Sequence, residues 1–581
     1  MPRTNNQRIV RYFTHGSFWL IAVLLLAMLL RFPSLSKGDA ITDEVLYAFR
    51  AIGMMDFDEA EDQTTPLEWF DKKATNSETP IPWWTNLSFH DHPPLVFLLQ
   101  YVSMKLFGET TFGFRLPSAI VGVASVYLMY LIGALLYSRT VGILSALLLG
   151  VTVNHVYISR IGLQEAMVIF FMLLASYFFL RSLGKDTYFI WTGVAVGLAV
   201  TTKYTAFILV PIFITYLLLF QREFFLNKKF WVGIFVAIML FSPVLIYNVM
   251  LYQAVGHFDF QFSHIFGQSP EVWNIQPGKE IGSIADRAEA FIPRMYRSNS
   301  FLVVSLFLLT VAAFLASLFK NPKKTFQPHA FLAIATAFII ALIFFFIGPS
   351  YRFLTLLTPF AALGISLFLY KLYDRFFYNK KKIAFILLGL FVVFELFYSI
   401  NSHILPYPKG KVVWGYSAVS AEQYRWGFNR LADYLEKELE GKMPAQVFYM
   451  RYAFLESLHE KATSKALAKG LPRYSAVIVY DANINKMAQL WVLDRLNIYH
   501  GWPVVNTEQY IEYMIENGFD DIAGSGFEHY YFIRPKNVLL IKEEHRTLTG
   551  LQFEKELVSR GIEPVSIYND RGEEAFLIYK F

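Results

Sequence analysis

The chain of 581 residues has no cysteine, which excludes disulfides and thiolate metal sites. Charge is scarce as well: Asp, Glu, Lys and Arg make up only 17% of it. The net charge of +6 comes largely from basic residues in short loops between apolar runs, where they orient a membrane protein rather than bind nucleic acid. No small-residue cleavage site follows the first apolar run, Ser17 to Leu30, so the expectation is an uncleaved first span rather than a signal peptide. The C-terminal part lacks a Gly-rich phosphate loop and a nucleophile elbow.

Apolar sequence is abundant. Hydrophobic residues make up 55% of the chain, with 57 Phe, and the first four hundred residues are a series of apolar stretches of about 18 to 24 residues, the length that crosses a hydrocarbon core. The expected fold is a mainly α-helical polytopic membrane protein with a transmembrane domain over 1–404. Beyond about Pro406 the sequence is mixed and charged, and a soluble α/β domain is expected over 405–581. Its amphipathic segment Gly427 to Glu440 reads as a helix, as does Glu508 to Asn517. Gln446–Met450, Ala476–Tyr480, Val538–Ile541 and Ala575–Tyr579 read as strands.

Arg3, Arg8 and Arg11 put the N-terminus in the cytoplasm and the first loop outside, 35–114 in all, with its acids Asp39, Asp43, Glu44, Asp56, Asp58, Glu59, Glu61 and Asp62. Pro93 to Phe107 is apolar but short for a span. Read as an interfacial helix, it leaves the basic loops around Arg139, Arg181, Arg222 and Lys320 all cytoplasmic, obeying the positive-inside rule. Eleven crossings follow, at 17–34, 115–137, 141–158, 163–182, 187–202, 204–221, 229–251, 299–319, 329–347, 351–371 and 383–401, with the C-terminal domain extracytoplasmic at the plasma membrane. Asp43, Glu44, Asp91, His92, Arg160, Glu165, Lys203, His257, His264, Tyr351 and Arg352 then gather on the outer face.

Each of these residues has a plain alternative. Asp43 and Glu44 open Ile41–Ala48, which reads as a helix start with Thr42 as N-cap, so capping explains them as well as chemistry does. A carboxylate pair at a membrane face is nevertheless costly and marks a functional site by default. In His90-Asp91-His92-Pro93-Pro94 two imidazoles and a carboxylate can ligate a divalent ion, and a polar helix start accounts for them equally. Arg160 and Glu165 can simply pair, and Lys203 and Arg352, at outer helix ends, can snorkel. Outer cations beside outer acids suit a reaction in which an anionic leaving group is held while a hydroxyl or amine is deprotonated.

The ordered set of these pieces resembles the C-type, multi-pass glycosyltransferases that use lipid-phosphate sugars, in the protein O-mannosyltransferase and aminoarabinose transferase branch. The matching pieces are Asp43-Glu44 after the first span, Asp91-His92-Pro93-Pro94-Leu95, Phe107-Gly108 with Arg115-Leu116-Pro117-Ser118-Ala119, Tyr157-Ile158-Ser159-Arg160 with Glu165, Thr202-Lys203-Tyr204, and Tyr351-Arg352-Phe353 with Pro359. They cover about residues 15 to 375. The resemblance implies that Asp43, beside Glu44, is the catalytic base. It implies that Asp91, His92 and Glu165 line the donor site or hold a cation, and that Lys203 and Arg352, with Arg160 and Tyr351, hold the lipid phosphate. A divalent cation is an optional cofactor, with Asp91, His257 and His264 as candidate ligands. Glu165 stands where Asp is commoner, and His92 where the aminoarabinose branch has Lys, which leaves the sugar open.

The implied reaction is a single displacement. A polyprenyl-phosphate sugar enters from the outer leaflet, Asp43 deprotonates an acceptor hydroxyl on a protein, lipid or envelope glycan, and the anomeric carbon inverts. The C-terminal domain is assigned acceptor recognition or a lid by position. A transporter or flippase is the rival class, but no paired repeat of interrupted hydrophobic segments appears and the charges collect on one face. An inactive membrane scaffold is a second rival, which the intact set of acids and bases disfavours.

Overall fold

The computed structural model describes residues 5–40, 42–57, 65–71, 80–273, 282–420, 425–448, 452–519, 526–536 and 546–581. Six helices among them are long and apolar enough to cross a membrane: Thr111–Leu136, Glu165–Ser182, Lys228–Val255, Phe301–Lys320, Pro322–Ile347 and Lys381–His403. The chain is therefore a mostly helical, multi-pass membrane protein. Ser17–Arg31, Tyr188–Thr202 and Tyr204–Phe220 are apolar but shorter. So is Leu95–Phe107, whose 13 residues span only about 20 Å at 1.5 Å per residue. Six helices, or seven with one bent pair, thus meet the length criterion where eleven crossings were expected.

Side-chain burial shows which faces these helices turn to lipid. Along Asn5–Arg31, Val23, Ala27 and Leu30 are buried while Ile21, Leu25 and Leu29 are exposed. On Lys381–His403, Phe385, Ile386, Leu390, Val393 and Phe397 are exposed. Such stripes would be unstable in water, but against acyl chains they cost nothing, and helix association then rests on close packing. Tyr188–Thr202 and Lys228–Val255 cross through glycines: a methyl on Gly193 would overlap the carbonyl of Gly233, and one on Gly233 that of Phe189.

The expected span 141–158 is broken. Arg139–Val151 and Val153–Ser159 meet at 65°, with Thr152 extended between them. No proline marks the break, Gly150 stands two residues before it, and side chains bond the carbonyls on either side of it. Thr152 Oγ1 donates to Leu148 O (2.6 Å), Arg31 Nη1 to Gly150 O (2.9 Å), Ser399 Oγ to Val151 O (2.6 Å) and His403 Nε2 to Val153 O (3.0 Å). Arg160, just past the bend, donates through Nη1 to Leu30 O and Arg31 O (3.1 and 3.0 Å), closing the end of the first helix.

The chain falls into two compact units. The membrane unit comprises Met1–Leu35, Asn86–Gly108 and Phe112–Glu422; the second comprises Ser36–Thr85, Glu109–Thr111 and Gln423–Phe581. This differs from the expected division at 404/405, in which all of 35–114 belonged with the membrane helices. The reason is a set of buried acceptors in the first loop. Asp39 accepts from the amides of Trp426, Gly427 and Asn429 (2.5, 2.9 and 2.9 Å), Asp71 from those of Ala453 and Phe454, and Phe49 O from the Tyr499 hydroxyl.

The second unit is built on a five-stranded mixed sheet. Its strands are β1 (Ala476–Tyr480), β2 (Val504–Asn506), β3 (His529–Pro535), β4 (Pro564–Tyr568) and β5 (Glu574–Lys580), in the order β2-β1-β3-β5-β4. β1 is parallel to β2 and β3, and β5 is antiparallel to β3 and β4. All five residues of β1 are buried, as a central strand covered on both faces requires. Helix Phe428–Leu439 buries Phe428, Leu431, Ala432, Leu435 and Leu439, one stripe of a 3.6-residue period. Expected and observed elements coincide at 476–480, 575–579 and the two helices. Around 446–448 there is no strand; a two-residue ladder pairs Met443–Pro444 with Arg473–Tyr474 instead. The strand expected at 538–541 lies outside the described residues, as do Tyr449, Met450, Ile41 and the loop acids Asp58, Glu59, Glu61 and Asp62.

Candidate active site

Three of the expected residues meet in the membrane unit. Glu165 opens helix Glu165–Ser182, where a carboxylate suits the positive end of the dipole, and Lys203 follows the last residue of Tyr188–Thr202, where a cation suits the negative end. Lys203 Nζ lies 2.6 Å from Glu165 Oε1, and Arg352 Nε lies 3.9 Å from the same oxygen. Glu165 is buried, with 2% of its side chain exposed, against 12% for Lys203 and 25% for Arg352. Phe353 seats both cations: Lys203 Nζ and Arg352 Cζ each stand 4.9 Å from its ring centroid. Two cations therefore converge on one buried carboxylate and an aromatic face. Beside it, the Tyr351 ring carries the Arg294 guanidinium at 5.9 Å.

A second cluster in the same unit surrounds Asp91. Its oxygens lie 3.0 Å from His92 Nδ1 and 3.9 Å from His90 Nδ1. The buried His90 stacks on Trp273 at 5.5 Å, and His257 meets the same indole edge-on at 5.5 Å, its Nδ1 on Phe258 O at 2.8 Å. His264 sits half-buried in the last turn of the short helix Phe260–Ile265. The hub of this loop is Asp259, which caps that helix by accepting from Phe262 N (2.7 Å) and also accepts from Tyr204 Oη (2.8 Å) and Asn248 Nδ2 (2.9 Å). Burial pushes its carboxyl up to about 6, against the pull of these donors. Because Phe260 N donates to His90 O (2.8 Å) and Tyr204 follows Lys203, the hub ties the Asp91 segment to the Lys203 segment.

Asp43 and Glu44 belong to the second unit, on helix Asp43–Gly53. Glu44 is buried and Asp43 half-buried at the helix start. Thr42 occupies the N-cap position as expected, but its side chain makes no capping bond. Its backbone is at φ 66°, ψ −166°, a region open essentially to glycine. A β-branched residue held there costs on the order of 1–3 kcal/mol, and such strain gathers at functional sites.

Phe353, Asp259, Asn248 and Trp273 carry geometry that the sequence did not single out. Only Asp259 left a signal, an acid three residues before the amide that it caps. Arg160, expected among the donor-binding cations, has Nη1 on two carbonyls of the first helix.

Residues 91–247, which span Asp91, His92, Arg160, Glu165 and Lys203, match the family described as Dolichyl-phosphate-mannose-protein mannosyltransferase. The crystal structure of ArnT from Cupriavidus metallidurans bound to undecaprenyl phosphate superposes with a TM-score of 0.52 over 97% of this chain and 98% of that one, at 13% identity. The chain has the C-type glycosyltransferase fold. Its resemblance to the protein O-mannosyltransferase and aminoarabinose transferase type, read from the ordered motifs, is borne out. Two Bacillus subtilis (strain 168) proteins are similar in sequence over part of the chain. "Putative mannosyltransferase YkcB" is 30% identical over 133 residues, 22% of this chain and 18% of YkcB, and "Putative mannosyltransferase YycA" is 30% identical over 169 residues, 29% of this chain and 24% of YycA. The matched stretches thus span about a fifth to a quarter of these relatives' length.

Proposed function

We propose that this C-type chain transfers a sugar from a polyprenyl-phosphate donor to an acceptor hydroxyl on the extracytoplasmic face, with Asp43 as general base and inversion at the anomeric carbon. The observation that carries the reading is the pair Lys203 and Arg352 held around the buried Glu165: two cations fixed side by side suit the phosphate that must depart as an anion. The undecaprenyl phosphate bound in the ArnT structure is a ligand of this chemistry.

In the proposed step Asp43 takes the proton of the acceptor hydroxyl as its oxygen forms the bond to the anomeric carbon. The bond from that carbon to the phosphate oxygen breaks, and its electron pair leaves with the lipid phosphate toward Lys203 and Arg352. Glu165 keeps the two cations in place. Asp91 and His90 offer a carboxylate and an imidazole that could take part in holding a divalent cation, with His92 beside Asp91 and His257 beyond Trp273 as further candidates. Such an ion would add positive charge for the leaving phosphate. The topology with a cytoplasmic N-terminus and eleven crossings, the shorter apolar helices included, belongs to the same proposal.

The test is retention of the donor lipid. Protein extracted in mild detergent is analysed for co-purifying lipids; wild type should carry polyprenyl phosphate or its sugar and Arg352→Gln much less, since a guanidinium can bind phosphate through two parallel hydrogen bonds. No enrichment in either protein, together with solute flux in proteoliposomes, would favour a transporter.

A further inference from the structure

The second unit holds a polar cavity of about 380 Å³ that plays no part in the proposed chemical step. At about 30 Å³ per water molecule it has room for roughly a dozen waters, or a saccharide of one or two rings. Three pieces of chain frame it: the strap around Asp39, residues 109–111, and helix Phe428–Leu439 with Arg495 and Asp570 behind it. The strap and the short piece include two of the five points at which the chain passes from one unit to the other, at Leu35/Ser36 and Thr111/Phe112. They are tied together, Thr111 Oγ1 donating to Ser36 O at 2.9 Å and Asn429 Nδ2 to Gly38 O at 2.7 Å. Asp39 itself is spent on the amides at the start of helix Phe428–Leu439, so it is framework.

The walls carry charges of both signs, several of them paired with one another. Arg430 Nη2 lies 3.0 Å and Arg425 Nη1 3.7 Å from the two oxygens of Asp570. Arg495 pairs with Glu436 and donates to Glu109 O at 2.9 Å. An ionised ligand would have to compete with these pairs, and an apolar one would displace their water while offering no hydrogen bond in exchange. A hydroxyl both donates and accepts, so a ligand bearing several of them can bond to guanidinium and carboxylate together.

We infer that this cavity is a binding site for a neutral, polyhydroxylated saccharide, and that it receives the acceptor. The inference rests on the transferase reading and narrows its acceptor, among protein, lipid and glycan, to a glycan. Asp39 stands four residues before Asp43, so the frame of the cavity and the proposed base lie on one short piece of chain.

The test is ligand-observed saturation-transfer NMR on the full-length protein in nanodiscs. The probes are methyl α-mannoside, methyl β-glucoside and cellobiose, with glucose 6-phosphate and glucosamine as charged counterparts. Arg430→Ala and Asp433→Ala alter exposed cavity residues on the helix, and Lys437→Ala on the same helix does not line the cavity. Wild type and Lys437→Ala should bind at least one neutral probe, and the two cavity variants should bind it about tenfold more weakly or not at all. Binding confined to the charged probes, unchanged affinity in both cavity variants, or no binding in wild type would each overturn the inference. Polyprenyl phosphate in the same preparation reports on the donor reading separately: lipid retained without saccharide binding removes the cavity site alone, and saccharide binding without retained lipid removes the donor reading alone.

Discussion

Removing Lys203 tests the arrangement around Glu165 quantitatively. At an effective dielectric of about 20, unit charges at the observed 2.6 Å attract by about 6 kcal/mol and at 3.9 Å by about 4 kcal/mol, as gross interactions before desolvation. Lys203→Met leaves the buried carboxylate with the more distant Arg352 only, and stranding a buried partner in this way costs about 3–5 kcal/mol. The lower part of that range applies because Arg352 stays. Lys203→Met/Glu165→Gln removes both charges and should recover about 2 kcal/mol of the loss, a coupling of the size found between groups in direct contact. Arg352→Gln, with the 2.6 Å pair intact, should cost less than Lys203→Met. The assay is reversible unfolding of detergent-solubilised protein, followed by tryptophan fluorescence. If the double variant is no more stable than Lys203→Met, the two residues are not an energetic pair and the ion-pair arrangement assigned to the site is wrong.

Two further outcomes follow from single positions. Thr42→Gly should stabilise the second unit by about 1 kcal/mol in the same unfolding assay, because glycine relieves the φ 66°, ψ −166° backbone but loses more entropy on folding; destabilisation would mean that the conformation is unstrained. Since the chain has no cysteine, Ser138→Cys and Ser269→Cys report topology directly: the first should react only with reagent on the cytoplasmic side and the second only from outside, and labelling of the first from outside would overturn the orientation.

The sequence reveals helices where long apolar runs decide them, because length and composition alone set a span. It does not reveal the break at Thr152, where no Pro stands, Gly150 lies two residues away, and the carbonyls around the bend are bonded by the distant donors Arg31, Ser399 and His403. Membership of Ser36–Thr85 in the second unit is equally hidden, because it depends on Asp39 and Asp71 accepting amides nearly four hundred residues away. Strands β2, β3 and β4 are not legible in the sequence, β2 being only three residues long and the other two for different reasons. His529–Pro535 is a central strand without polar alternation, and Pro564–Tyr568 is an edge strand that starts on a proline. Lys203, Arg352 and Glu165 were legible as motif residues, but their shared carboxylate oxygen and the Phe353 ring beneath both cations appear only in three dimensions.

The most direct measurement is the stereochemistry and rate of sugar transfer by the purified chain. Reconstituted with a polyprenyl-phosphate sugar of known anomeric configuration and an extract of envelope acceptors, wild type should release polyprenyl phosphate and form a product of inverted configuration. Asp43→Asn should do so roughly 10²- to 10⁴-fold more slowly, the loss expected for a missing general base, while still retaining the donor. A product of retained configuration, or transfer by Asp43→Asn at the wild-type rate, would contradict a single displacement with Asp43 as the base.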